Sequence, residues 1–270
     1  MAMTGPNNAF NTAAILLRRL DYGDGDLILT VITPALGKLT LIAKAAQKSR
    51  RRFGGVLDLF AVLTLCCHNG RRGSLPIVCE ANLCEPFEAI RHDMVKTAYA
   101  SYWGELVHLW GEEGQAQPEV FHLFRHVLSV LDQDSLSPRW LSLLFQLRFM
   151  HLAGLGPHLG TCIDCGRKLD DIGAAGLMFD PARGTLVCAR CGGPGGIEVS
   201  LGTVKQLVWI AQGELAKARR MRFSDSALNE GEAVLEAFVP LHLGREPRSL
   251  QVLRQLRAAA PHAPWEENRR

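Results

Sequence analysis

Cys162-Ile-Asp-Cys165-Gly166 and Cys188-Ala-Arg-Cys191-Gly192-Gly193 are two Cys-x-x-Cys pairs with 22 residues between them. A glycine follows the second cysteine of each pair, so each predicts a tight turn that aims two sulfurs at one point. Two such turns facing each other make a tetrahedral thiolate cage, which suits Zn²⁺ at Zn–S distances of about 2.3 Å. Between the pairs, Gly176-Leu-Met-Phe179 and Gly184-Thr-Leu-Val187 predict short strands around the Asp180-Pro181 turn. The pattern is that of a zinc ribbon with ligands Cys162, Cys165, Cys188 and Cys191 and one ion per chain.

Two disulfides or a redox pair are the competing readings. A redox pair needs no second Cys-x-x-Cys. The N-terminal Met1-Ala-Met-Thr-Gly-Pro-Asn-Asn8 lacks the basic and apolar blocks of an export signal, which predicts a reducing cytoplasm. Four sulfurs leave no coordination position open, so the metal is read as structural. Four thiolates and Zn²⁺ carry a net −2, which takes the formal +3 of the chain to about +1. His158 reads as a loop histidine beside the cage.

The chain has 270 residues, 47% of them apolar, enough for two domains or one elaborate one. No apolar run approaches the roughly 20 residues that cross a bilayer, so a soluble protein with no membrane partner is expected. Eight cysteines are too few for a disulfide scaffold. Charge is unevenly spread. Lys38, Lys44, Lys48, Arg50, Arg51, Arg52, Arg71 and Arg72 face the single acid Asp58 in that stretch. Such an excess attracts polyanions; the plainer alternative is a solvated loop.

From Thr12 to about Leu83, short β-branched runs alternate with turn residues: 12–17, 27–32, 38–43, 60–66 and 75–79. Five strands in some 70 residues predict an OB-fold barrel. The loop Asp21–Asp26 lacks the acidic spacing and terminal Glu of a calcium loop and reads as a turn. Lys44-Ala-Ala-Gln-Lys-Ser-Arg-Arg-Arg-Phe53 is too basic for a strand, and a basic loop on such a barrel can track phosphates. Phe53 and Phe60 read as core, with base stacking as the alternative. Cys66, Cys67, Cys79 and Cys84 read as small buried hydrophobes.

From Glu88 the period becomes helical. Three helices are expected over 88–110, 118–131 and 138–152, as neighbours in one bundle with those after the ribbon. Ser137 is expected to cap the third. Later helices start at Ser200, Ser224 and Ser249, and Lys217, Arg219, Arg220 and Arg222 form a second basic cluster. The expected fold class is α+β. Its parts are a disordered 1–11, an OB-fold domain 12–84 that would be DNA-binding if its basic loop tracks phosphates, a first helical part 85–160, the ribbon 161–197, a second helical part 198–258 and a tail 259–270. No phosphate loop, dinucleotide fingerprint or nucleophile elbow occurs, so no enzyme is expected.

In the order of these parts the chain resembles the RecO family of bacterial recombination and repair mediators. The resemblance covers roughly residues 12–257. It is carried by Asp21-Tyr-Gly-Asp-Gly-Asp-Leu-Ile-Leu-Thr-Val-Ile-Thr33 with Gly37, by Lys44-Ala-Ala-Gln-Lys-Ser49 with Leu57-Asp-Leu-Phe60, by Leu241-His-Leu-Gly-Arg-Glu-Pro-Arg-Ser-Leu250, and by the four cysteines. The family usually has Gly at Ala45 and Pro at Leu59.

The resemblance implies a non-enzymatic, cytoplasmic, nucleoid-associated protein, expected as a monomer. It would bind single- and double-stranded DNA, anneal complementary strands without ATP, and with RecR load RecA onto DNA coated with single-strand binding protein (SSB). Lys38, Lys44, Lys48, Arg50, Arg51 and Arg52 would contact phosphates, and Arg71 and Arg72 belong to the same basic stretch. Lys217, Arg219, Arg220 and Arg222 would extend that track or meet the acidic tail of SSB. Two other readings are a zinc-stabilised interaction scaffold with incidental DNA binding and a zinc hydrolase. Four sulfur ligands deny the hydrolase an open position.

Overall fold

The structure, a computed structural model, describes residues 9–70, 74–134, 136–172, 176–192, 195–218 and 221–259. Two compact units divide the chain at Gln133/Asp134. This boundary differs from the expected one: the helices that follow the barrel belong to the barrel's unit.

The first unit opens with five strands, β1 (Ala9–Tyr22), β2 (Asp26–Thr33), β3 (Gly37–Ala43), β4 (Val62–His68) and β5 (Ile77–Glu85). They close a barrel in the order β1-β2-β3-β5-β4, the partly open Greek-key arrangement of an OB-fold. β1 is 14 residues long because it serves two neighbours. Ala9–Ile15 pairs with β4, and Ile15–Tyr22 pairs with β2, with a bulge between Leu16 and Arg18. Such a bulge adds twist and lets one strand turn the corner of the barrel. Residues 9–11, expected in a disordered terminus, are paired strand.

Alternation decides which side chains fill the barrel. Leu27, Leu29 and Val31 of β2, Leu41 and Ala43 of β3, and Leu63, Leu65 and Cys67 of β4 are all buried there. Each large apolar side chain so buried contributes roughly 1.5–3 kcal/mol. Phe53 joins this core, and Phe60 is buried as well. Of the four cysteines expected to be buried, only Cys67 is. Cys66 and Cys79 are half-buried and Cys84 is exposed, because β4 and β5 each turn one face outward.

Between β3 and β4 lies one helical turn, α1 (Arg50–Phe53). After the barrel come α2 (Glu88–His92), α3 (Met94–Trp110) and α4 (Pro118–Asp132). The helix expected over 88–110 is therefore broken at Asp93. That residue is extended, and its carboxylate accepts the Val95 and Lys96 N–H groups at the start of α3. The β2–β3 turn is tied to the α3–α4 loop by Lys38 N–H to Glu112 O, Gly114 N–H to Leu36 O and Gln117 N–H to Pro34 O. Gly37 permits this approach. Its φ is +62°, and an added Cβ would stand 2.0 Å from Gln115 O.

The second unit begins with α5 (Pro138–Leu152), and Ser137 makes no side-chain cap. The ribbon follows as β6 (His158–Cys162), β7 (Leu177–Asp180), β8 (Thr185–Cys188) and β9 (Ile197–Val199). Its sheet order is β6-β8-β7-β9. Then come α6 (Leu201–Gln212), α7 (Leu215–Ala218), α8 (Asp225–His242) and α9 (Arg248–Ala259). α5, α6 and α8 pack on one another. The helices flanking the ribbon thus share a core, whereas α3 and α4, expected in that bundle, lie in the first unit.

Pro240 inside α8 removes one N–H and so frees the carbonyl of Glu236. Arg254 of α9 donates to that oxygen at 3.5 Å. Ser200 and Ser224 cap α6 and α8 by accepting the Thr203 and Ala227 N–H groups.

Candidate metal centre and candidate nucleic-acid interface

The four predicted ligands come together. The sulfurs of Cys162, Cys165, Cys188 and Cys191 all lie within 4.8 Å of one another. Cys162 ends β6 and Cys188 ends β8, and these parallel strands bring the two knuckles side by side. In the first knuckle Gly166 N–H donates to Cys162 O at 2.9 Å, and Cys162 N–H donates to Arg167 O at 2.9 Å. Gly166 sits at φ +69°. The second knuckle closes with Cys191 N–H to Cys188 O at 2.9 Å.

The donor set fits one tetrahedral ion. Four sulfurs about 2.3 Å from a common centre stand about 3.8 Å apart, and Cys165 Sγ and Cys188 Sγ are 3.8 Å apart. Cys162 Sγ also accepts the Cys188 N–H at 3.4 Å. Burial pushes the Cys162 thiol up, but the N–H groups of Cys188, Cys165 and Asp164 outweigh it and hold the thiol down at about 6. Cys188 is likewise held low: burial opposes this, but the N–H groups of Cys191 and Arg190 prevail. Hydrogen bonds with Cys165 and Cys188 push Cys191 up to about 12. Two thiolates are thus prepared by the backbone, and full ionisation of the set calls for a cation. His158 is not among the four; it bonds Thr161 Oγ1 at 3.0 Å.

The ribbon is seated on α8 through the β7–β8 turn. Asp180 Oδ1 accepts the Ala182 and Arg183 N–H groups at 2.9 and 3.1 Å. Gly184 has φ +65°, and a Cβ there would stand 2.7 Å from Phe238 Cε2. Phe179 meets Phe238 edge-on at 5.8 Å.

The basic stretch of the barrel is a compact turn. Ala45 N–H donates to Asp26 Oδ1 at 2.7 Å, Gln47 Nε2 to Asp21 Oδ1 at 2.7 Å, and Gln47 N–H to Gly25 O at 3.1 Å. The acidic β1–β2 turn, Tyr22–Asp26, therefore braces the turn that carries the cations. Ala45 has φ +52°, a conformation that costs an L-residue with a side chain roughly 1–2 kcal/mol.

Lys44, Lys48, Arg51 and Arg52 are exposed on this turn. Arg52 is the most fixed of them. It donates to Lys44 O at 2.9 Å and Ser49 Oγ at 3.2 Å, and its guanidinium lies 5.0 Å from the centroid of the Phe53 ring. The side chain of Arg50, and all of Arg71, Arg72, Arg219 and Arg220, lie outside the described residues.

Lys38 stands apart from the cluster. Its Nζ donates to His108 O at 3.0 Å near the end of α3, where a cation also complements the helix dipole. In the second unit Lys217 pairs with Glu214 at 3.0 Å and Arg222 is exposed. Sequence reasoning missed the acidic brace, because Asp21 and Asp26 matter through where their oxygens point. Among the described residues no helix is long and apolar enough to cross a membrane.

These features define a class: an α+β protein with an OB-type barrel bearing a basic turn, and a helical unit carrying a four-cysteine metal ribbon. The chain belongs to the RecO family. Residues 8–87 match Recombination protein O N terminal, and residues 91–251 match Recombination protein O C terminal. The DNA repair protein RecO of Desulfatibacillum aliphaticivorans is 46% identical over 250 residues, which are 91% of this chain and 96% of that protein. The protein of the same name from Desulfosudis oleivorans is 44% identical over 255 residues, 92% and 98% of the two chains. That of Symbiobacterium thermophilum is 28% identical over 252 residues, 93% and 98% of the two.

Proposed function

We propose that this protein is a cytoplasmic DNA repair and recombination mediator. It binds single- and double-stranded DNA, anneals complementary strands, and with RecR helps load RecA onto SSB-coated DNA. The observation that carries this reading is membership of the RecO family over both units. The exposed cations Lys44, Lys48, Arg51 and Arg52 support it. Annealing brings two polyanions together, and clustered cations lower that barrier by displacing counterions, with no bond made or broken. The protein therefore acts by binding, not by catalysis. Lys38 belongs to the proposed contact set: its Nζ donates to His108 O at 3.0 Å and keeps two further N–H donors.

The metal is Zn²⁺, held by the four thiolates as a structural ion. It fixes the two knuckles, and no step of DNA pairing passes through it. Lys217 and Arg222 serve DNA or the acidic tail of SSB.

The test is strand annealing with labelled complementary oligonucleotides, bare and SSB-coated, without ATP. Wild type is compared with a Lys44→Ala, Lys48→Ala, Arg51→Ala variant. The expected result is fast pairing by wild type and little by the variant. Equal pairing by both would remove the basic turn from the working surface. No acceleration by wild type at low salt would overturn the mediator reading in favour of a protein-interaction scaffold.

A further inference from the structure

The outer wall of β4 and β5 carries two thiols that face each other across an irregularity in the ladder. Pairing sets Cys66 opposite Glu80 and Cys67 opposite Val78, so one residue of β5, Cys79, is extra, and the ladder bulges there. In a bulge two residues of one strand face one residue of the other. Cys67 and Val78 are fully buried and point into the barrel. Cys66, Cys79 and Glu80 therefore share the outer side. Cys66 and Cys79 are half-buried and carry no bridge. The Cys79 thiol donates weakly to Ile77 O at 3.9 Å.

Residues that face each other across an antiparallel ladder stand about 4.5–5.5 Å apart at Cα, within the span of about 4.4–6.8 Å that a disulfide needs. Cys84 is exposed on the same wall. It faces Thr64, whose Oγ1 lies 3.3 Å from its sulfur. Cys84 is thus a diagonal neighbour of Cys66, and such neighbours stand about 7–8 Å apart, beyond that span.

The two thiols lie beside the basic turn. α1, which carries Arg51 and Arg52, packs on β5. Burial and the neighbouring Cys66 push the Cys79 thiol up, and the Arg52 guanidinium acts against them. The closure of the barrel is also near. β3 meets β5 through Ile42 and Ile77, with Ile42 N–H donating to Pro76 O at 2.9 Å. Cys79 stands just past that seam, so a bond from it to β4 would hold the start of β5 where the barrel closes.

We propose that Cys66 and Cys79 are a reversible redox site, a dithiol that a hydroperoxide closes to a disulfide across the β4–β5 bulge. The Cys66 sulfur attacks the terminal oxygen of ROOH. The O–O bond breaks, ROH leaves with the thiol proton, and Cys66 becomes a sulfenic acid. The Cys79 sulfur, the less readily ionised of the two, then attacks the Cys66 sulfur. The S–O bond breaks, hydroxide leaves as water with the Cys79 proton, and the S–S bond forms. The two thiols together give up two electrons and the peroxide takes both. An added thiol reverses the step by exchange. In a reducing compartment a disulfide of this kind is transient and sensing, not structural.

The test is mass mapping of the full-length protein, supplied with Zn²⁺, after an equimolar amount of hydrogen peroxide. Trypsin cuts after Arg52, Arg71 and Arg91, which puts Cys66 and Cys79 in different peptides. Most of the protein is expected to yield these two peptides cross-linked, lighter by two hydrogen atoms than their sum, with fragmentation placing the bond between Cys66 and Cys79. Dithiothreitol should separate them. Cys84→Ser keeps the cross-link, whereas Cys66→Ser and Cys79→Ser lose it, with melting curves showing that each variant is folded. The site is overturned if the wild-type peptides stay separate, or if the cross-link survives in Cys79→Ser. It is overturned as well if the four cage cysteines are oxidised while Cys66 and Cys79 remain thiols.

Discussion

Removing the charges of Lys44, Lys48 and Arg51 together should change how DNA binding responds to salt, and the size of that change follows from the turn. All three are exposed, and none of them is the residue that fixes the loop, a task that falls to Arg52 and to the Asp26 and Asp21 braces. Substitution by glutamine therefore leaves the turn in place. Each phosphate contact on a single strand contributes about −0.7 to the slope of log K against log salt. Three contacts amount to about −2.1. Between 50 and 200 mM salt, wild type should lose about 18-fold more affinity than the triple variant. The assay is anisotropy of a labelled oligo-dT across that range, with the metal content of both proteins matched. Parallel lines for the two proteins would refute the reasoning, even if the variant were weaker throughout, because a uniform offset does not report counterion release.

Three other outcomes are expected. Gly184→Ala forces a side chain into a φ of +65° and against Phe238 at 2.7 Å, which costs roughly 2–5 kcal/mol from the left-handed penalty and overpacking together. A melting temperature within a degree of wild type would show that the ribbon does not rest on α8 there. Titrating Zn²⁺ into metal-free protein at pH 8 should release protons, Cys191 supplying one because its thiol stands at about 12, and Cys162, at about 6, almost none. Calorimetry in buffers of differing ionisation enthalpy measures this, and a proton count near zero would contradict it. Ala45→Gly should stabilise the protein by up to about 1 kcal/mol, since relief of the left-handed strain exceeds the entropy glycine adds to the unfolded chain; a lower denaturation midpoint would contradict that.

The cage was legible because its information is local: two Cys-x-x-Cys turns announce themselves wherever the chain later goes. The barrel strands were legible for a similar reason, their alternation being a property of short runs. Helix partners were not. The periodicity of α5 shows that one face is buried but carries nothing about whether α4 or α8 covers it. β6 and β9 escaped because His158-Leu-Gly-Thr-Cys162 and Ile197-Glu-Val199 are too short to show a period. Lys38 illustrates the limit on reading charge. It stands in the same basic stretch as Lys44, yet register points it at the end of α3.

The long first strand has a consequence for the order of events during synthesis. Its second half finds β2 as soon as that strand has emerged, and hairpins form within microseconds. Its first half must wait for β4, which ends 35 residues after β2 does. At bacterial elongation rates that interval is roughly two to seven seconds. Throughout it, Ala14, Ile15 and Leu16, all fully buried in the finished barrel, border an edge with unpaired backbone groups, the arrangement most prone to pairing with another chain. The nascent protein thus passes through an adhesive stage that lasts about a million times longer than the pairing step itself, and a holding chaperone on the ribosome would meet it there.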